Sequence, residues 1–207
     1  MASPRTIKEV QKLTGRIAAL NRFVSRVTDK CLPFFKTLKR AFAWTDECEA
    51  AFQALKRYLS NLPLLSPSKE GESLQLYLVM SATVVNAALI REEGKKQLPI
   101  YYISQAFQGA ESGYPIIEKI AFALIVASCI LRQYFQASPI LVMTDQPIRK
   151  SMNRPKATGR MVQWAIKLSQ FNIEYHPKTA IKAQALADFI AEFTLTDEEN
   201  PNHEAER

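Results

Sequence analysis

The chain is poor in the residues that build metal and disulfide frameworks. Its 207 residues include three cysteines, Cys31, Cys48 and Cys129, and two histidines, His176 and His203. The cysteines are odd in number and widely separated, with no CxxC pair and no histidine cluster. Zinc needs closely grouped N and S ligands, so neither a zinc site nor a disulfide framework is expected. Reduced thiols in an intracellular compartment, a cytoplasmic particle or the nucleus, are the plain reading. The opening MASPRTIKEV lacks the apolar stretch of a secretory signal. The longest apolar run, IAFALIVASCIL at 120–131, is too short to cross a bilayer, so it reads as a buried helix and no membrane partner is expected. One local absence matters more than these: no Asp or Glu occurs between 73 and 91.

What is present is basic. The net charge is +7, and the acidic segment LTDEENPNHEAER from 195 masks a stronger imbalance. Outside that segment there are 26 basic and 15 acidic residues, and residues 1–61 alone hold 12 basic and 5 acidic. A basic surface suits a polyanion such as nucleic acid, although charge alone favours the plainer reading of a solvated helix face. At 47% hydrophobic and 23% charged, the composition allows a sizeable core.

The hydrophobic period divides the chain. TIKE at 6–9 is a capping box, with Thr6 at the N-cap. Ile7, Val10, Leu13, Ile17, Leu20, Phe23 and Val27 then follow at helical spacing. Lys8, Lys12 and Arg16 form a separate i, i+4 row, and CLP at 31–33 is expected to break this helix. A short helix over PFFKTLKRAF precedes a third one, capped by Thr45 and favoured by Asp46, Glu47 and Glu49 in its first turn. The units are a helical segment at 1–65, a turn-rich linker at 66–73, an α/β domain at 74–193 and an acidic tail at 194–207, expected to be disordered. Within the α/β domain the order reads β-β-β-α-β-α-α-β-α, with a five-stranded mixed sheet. Pro115 opens the long apolar helix, and TAIKAQALADFIAEF is the last helix.

That order resembles ribonuclease H. The phrases LTGRIAALNRFVSR, FAWTDECEAAFQALKRYL, YYISQAF, YPIIEK, VMTDQPIRK, GRMVQWAIKLSQFNIEY and AQALADFIAEF resemble the pol polyprotein of gypsy-type LTR retrotransposons, especially plant elements. The match runs over roughly 6–193. The resemblance implies a reverse-transcriptase thumb or connection followed by an RNase H-like domain, with the polymerase palm absent. It also implies partners: an RNA:DNA hybrid bound independently of sequence, and the rest of a polyprotein, including palm, second RNase H and integrase.

RNase H chemistry cleaves the RNA strand of a hybrid with two divalent ions, such as Mg²⁺, held by four carboxylates. The resemblance places the first at Val79 and the second at Ile120, both apolar here. Glu118, two residues before Ile120, is turned about 200° from it and favours the helix N-terminus. The third acid survives as Asp145, beyond a buried strand, where it also suits an N-cap before Gln146-Pro147. The fourth survives as Asp188, which reads equally as a solvated helix residue. Any metal binding by Asp145 and Asp188 is therefore expected to be weak. Arg149, Lys150, Arg154, Lys156, Arg160, Lys167, Lys178 and Lys182, with the row Lys8, Lys12 and Arg16, are the candidate phosphate contacts. Trp164 and Trp44 read as packing residues. The leading expectation is a catalytically silent connection that binds nucleic acid. An active hydrolase using Asp145 and Asp188, and a decayed transposon remnant without a selected role, remain as alternatives.

Overall fold

The structure, a computed structural model, describes residues 2–38, 42–61, 64–81, 83–94, 96–152, 154 and 159–177. The proposed last helix, Asp188, Lys156, Lys178, Lys182 and the acidic tail lie outside the described residues.

Helix α1 spans Ile7–Ala19 and begins as its capping box requires: the Thr6 side chain accepts from Glu9 N. The chain then turns through a 3-10 segment at Asn21–Phe23 and enters α2, Val27–Leu38. The expected break at CLP does not occur, because Pro33 lies inside α2. The helix tolerates the one hydrogen bond that Pro33 cannot donate. The direction changes instead at Arg26, whose φ of 53° is the left-handed conformation rare outside glycine. Its Nε donates to Asp29 Oδ2 at 3.0 Å, which holds the turn. Helix α3, Asp46–Ser60, starts where expected, with the Thr45 side chain accepting from Cys48 N. Val10, Leu13, Ile17, Phe34, Phe52 and Leu55 form the core of this unit. Trp44 stacks on Phe34 with ring centroids 5.7 Å apart and meets Phe52 edge-on, so it is a packing anchor.

The sheet comprises β1 (Leu74–Met80), β2 (Val84–Glu93), β3 (Lys96–Ala106), β4 (Ile140–Met143) and β5 (Ile173–His176), in the order β3-β2-β1-β4-β5. β1 is central, antiparallel to β2 and parallel to β4. Gly94, with φ 64°, supplies the left-handed residue that the β2–β3 hairpin needs. Pro99 sits in the edge strand β3, where its missing N–H is harmless, and its carbonyl accepts from Ser66 N. The segment before β1 is thus pinned to the sheet edge. Buried Arg91 adds to this by bonding Glu72 and Ser66.

Helices α4 (Ile116–Ile130), α5 (Arg132–Ala137), α6 (Ile148–Met152) and α7 (Gly159–Leu168) complete the described elements. The long apolar helix expected after Pro115 is divided at Leu131 into α4 and α5. Leu74, Leu76, Leu78, Val85, Ala87 and Leu89 pack on one face with Leu124 of α4. Tyr77, Val79, Ala88, Ile90, Tyr102 and Met143 form a separate cluster on the other. The alternation is the period of two that a pleated strand imposes.

The helical unit docks on the face of the sheet opposite α4. Thr28 N donates to Ser104 Oγ at 3.0 Å, and Asn86 Nδ2 donates to Asp29 Oδ2 at 3.0 Å. Arg22 lies 5.2 Å from the Tyr101 ring centroid. Asn86 is fully buried in the middle of β2, so its amide makes this polar seam costly to open. Asp29→Ala would leave a buried amide donor without its acceptor. It should lower the unfolding free energy by about 1–3 kcal/mol, read from the urea midpoint at unchanged m-value.

Candidate nucleic-acid interface and candidate metal site

In this fold the chemistry would gather where β1, β4 and the start of α4 meet, so the apolar character of that junction decides what it can do. Val79 is 7% exposed and belongs to the cluster of Tyr77 and Met143. Ile120 is also 7% exposed and belongs to the cluster on the α4 side. The two positions therefore face opposite sides of β1. The β1 side chains that pack with α4 are Leu74, Leu76 and Leu78, with Met80 against the same cluster. All are apolar, and so is Val79, so neither register brings a carboxylate from β1 to α4.

Glu118 behaves differently from the sequence expectation. It lies in the first turn of α4, as a dipole-favoured acid should. Yet its side chain is only 8% exposed, and its Oε2 stands 3.6 Å from Arg160 Nη2. Burial without a cation would be severely unfavourable for a carboxylate. Arg160 in turn lies over the Tyr114 ring at 4.0 Å, and a hydrogen bond to Tyr114 raises the guanidinium above its ordinary pKa. The pair ties α4 to α7 beside an aromatic group of Tyr114, Phe122 and Trp164 with centroids near 6 Å apart. Trp164 is accordingly core, and Arg160, read from sequence as a phosphate contact, is held by structural partners.

Asp145 is exposed just past β4. It does not occupy the N-cap position expected of it: α6 starts at Ile148, so Pro147 flanks the helix. Thr144 Oγ1 accepts from Gln146 N at 3.1 Å. Proline at 147 fixes the backbone just ahead of the helix, which places the helix start three residues past Asp145. Among the described residues, no three His, Cys, Asp or Glu side chains are grouped to hold a metal ion. A two-ion centre needs several oxygen ligands converging, and the described residues at this junction do not fit it.

The cations divide into two sets. Lys8, Lys12 and Arg16 are exposed along α1. Arg149 and Lys150 on α6, and Arg154 after it, are exposed as well, as is Lys167 on α7. Helix α1 packs on α2, which docks on β3, whereas α6 and α7 pack on α4. The two sets thus belong to layers on opposite sides of the sheet. A sequence row gives charge and helical phase, but not the layer to which a helix is assigned.

Comparison with known proteins places this geometry. A family described as the RNase H-like domain found in reverse transcriptase matches residues 69–171. The Pol polyprotein of Drosophila melanogaster transposon 297 is 28% identical over 98% of this chain, which spans 19% of that protein. The Pol polyprotein of transposon 412, also from Drosophila melanogaster, is 26% identical over 90% of the chain and 14% of its own length. The Gag-Pol polyprotein of baboon endogenous virus is 20% identical over 88% of the chain. The chain therefore spans about a fifth or less of these relatives. Among solved structures, the foamy viral protease-reverse transcriptase in complex with dsDNA aligns with TM-score 0.72 at 20% identity, over 88% of this chain and 40% of that one. The same enzyme in complex with RNA/DNA hybrid aligns with TM-score 0.70 at 21% identity, over 87% of this chain and 26% of that one. Residues 69–171 match the RNase H-like domain found in reverse transcriptase, and the five-stranded mixed sheet with its flanking helices has the RNase H-like fold.

Proposed function

We propose that this chain is a connection segment of a gypsy-type retrotransposon reverse transcriptase, which holds an RNA:DNA hybrid without cutting it. The observation that carries the reading is the hydrocarbon lining of β1 toward α4, from Leu74 through Met80, with Ile120 facing it. Hydrocarbon ligates no hard cation, and Asp145 with Asp188 would leave most of two coordination shells to water. Supporting the binding half are the exposed cations of α1 and α6 and the fold shared with a reverse transcriptase whose structure holds a hybrid. Contacts of this kind are with phosphates, so they position the duplex without reading its sequence. The palm, a second RNase H and an integrase are the partners this role calls for in a longer polyprotein.

Purified protein incubated with a labelled hybrid and Mg²⁺ or Mn²⁺ should leave the RNA strand intact. Robust metal-dependent cleavage would favour the alternative, a hydrolase built on Asp145 and Asp188. Because Val79 and Ile120 face different clusters, Val79→Asp with Ile120→Glu should not create activity. It should instead put a carboxylate into each apolar layer, and thermal unfolding should show a loss of about 3 kcal/mol or more.

Hybrid binding, followed by fluorescence anisotropy, should weaken linearly in log Kd against log salt. Lys150→Ala and Lys12→Ala should each weaken it for all sequences alike, and each should reduce the salt slope by about one if that residue meets a phosphate. An affinity unchanged between low and physiological salt would count against the reading.

A further inference from the structure

Helices α6 and α7 and the edge strand β5 enclose an open cavity of about 280 Å³ that the phosphate contacts alone do not explain. Met152, Leu168, Phe171, Ile173 and Tyr175 line it, with Arg149 as its charged member. Phe171 is fixed from behind by Phe135, edge to face at 5.3 Å. Tyr175 is half-buried, and burial raises its phenol pKa against the opposing charge of Arg149, which lines the same cavity. Arg149 is itself exposed, as are Lys150 next to it and Arg154 beyond.

The lining selects its ligand by two features. Two aromatic rings among aliphatic side chains favour a flat, uncharged ring system. The adjacent guanidinium favours an anion, and its planar fork suits phosphate. A nucleotide carries both on one molecule. The cavity is smaller than the usual range for drug-sized ligands, so it admits one base and not a partner's helix. A base paired inside a duplex is stacked on its neighbours and cannot enter. Cationic rims combined with aromatic platforms are how proteins hold single strands.

We propose that this cavity takes the base of an unpaired nucleotide at the end of a hybrid strand, with its phosphate on Arg149. The inference rests on the nucleic-acid-binding reading and deepens it, from a grip on the duplex to recognition of its frayed or overhanging end.

The test compares a blunt RNA:DNA hybrid with the same hybrid carrying one unpaired fluorescent purine analogue. The full chain should bind the overhung hybrid about tenfold more tightly, a ratio in the range of one stacked base, and the analogue should be quenched. Ala165→Phe adds bulk at the cavity wall without changing charge. It should abolish both the preference and the quenching while leaving blunt-end affinity unchanged. Ser169→Trp, at an exposed position on the same cavity, gives a second filler should the first not fold. Equal affinity of the wild-type chain for blunt and overhung hybrids would overturn the proposal and leave duplex binding intact. Persistence of the preference in both folded fillers would also overturn it. Failure to bind either hybrid would overturn the binding function along with it.

Discussion

The strand β1 is buried on both faces, and the rest of the architecture follows from that confinement. It is the centre of the five-stranded order, paired with β2 on one side and β4 on the other. Its even-numbered leucines meet α4, while Tyr77 and Val79 meet the opposite layer. A strand so enclosed tolerates no unpaired charge, since a carboxylate there would lose its hydration with no cation to replace it. An acid on such a strand needs a metal ion or a basic side chain beside it. Here the side chains that β1 buries against both layers are apolar or aromatic instead. The same exclusion explains the fate of Glu118, which is buried near the junction and neutralised by Arg160.

The opposite face of the sheet carries a different kind of contact. Asn86 interrupts an otherwise apolar run from Val84 to Ile90, and Asp29 and Ser104 complete a small polar seam with α2. Hydrogen bonds of this kind add modest stability but strong geometric preference, because alternatives leave buried groups unsatisfied. The strained backbone of Arg26 lies in the same seam and is held by the same Asp29 carboxylate. The helical unit is consequently oriented on the sheet, and its basic row on α1 stands in a fixed layer relative to the cations of α6.

Much of this was legible in the sequence where the signal is local. Thr6 and Thr45 mark helix starts because the cap needs only a short polar side chain at the right offset. The strands were legible as short apolar runs bounded by turn residues, and the buried helix α4 as a longer apolar run. Pro33 misled, since proline strongly predicts a helix end yet a single lost bond is affordable inside a packed helix. The sequence places Asp145 at the end of β4 correctly but also puts it at the N-cap of α6, a position that Pro147 takes because the helix starts at Ile148. Which face each residue of β1 takes depends on register with β2 and β4, which no local pattern fixes, and so the sequence did not show that Val79 and Ile120 belong to different clusters. The seam at Asn86 left one usable sign, a lone amide within VVNAAL, whose partner lies 57 positions away.

Metal binding is the most direct probe of the central claim. Mn²⁺ titrated into the purified full chain and followed by the loss of its free EPR signal reports bound ions without requiring catalysis. The expected result is one weak, hydrated ion at most, with thermal stability unaffected by the metal. Two ions bound together at a saturable site, with a matching rise in unfolding temperature and spin coupling between them, would contradict it.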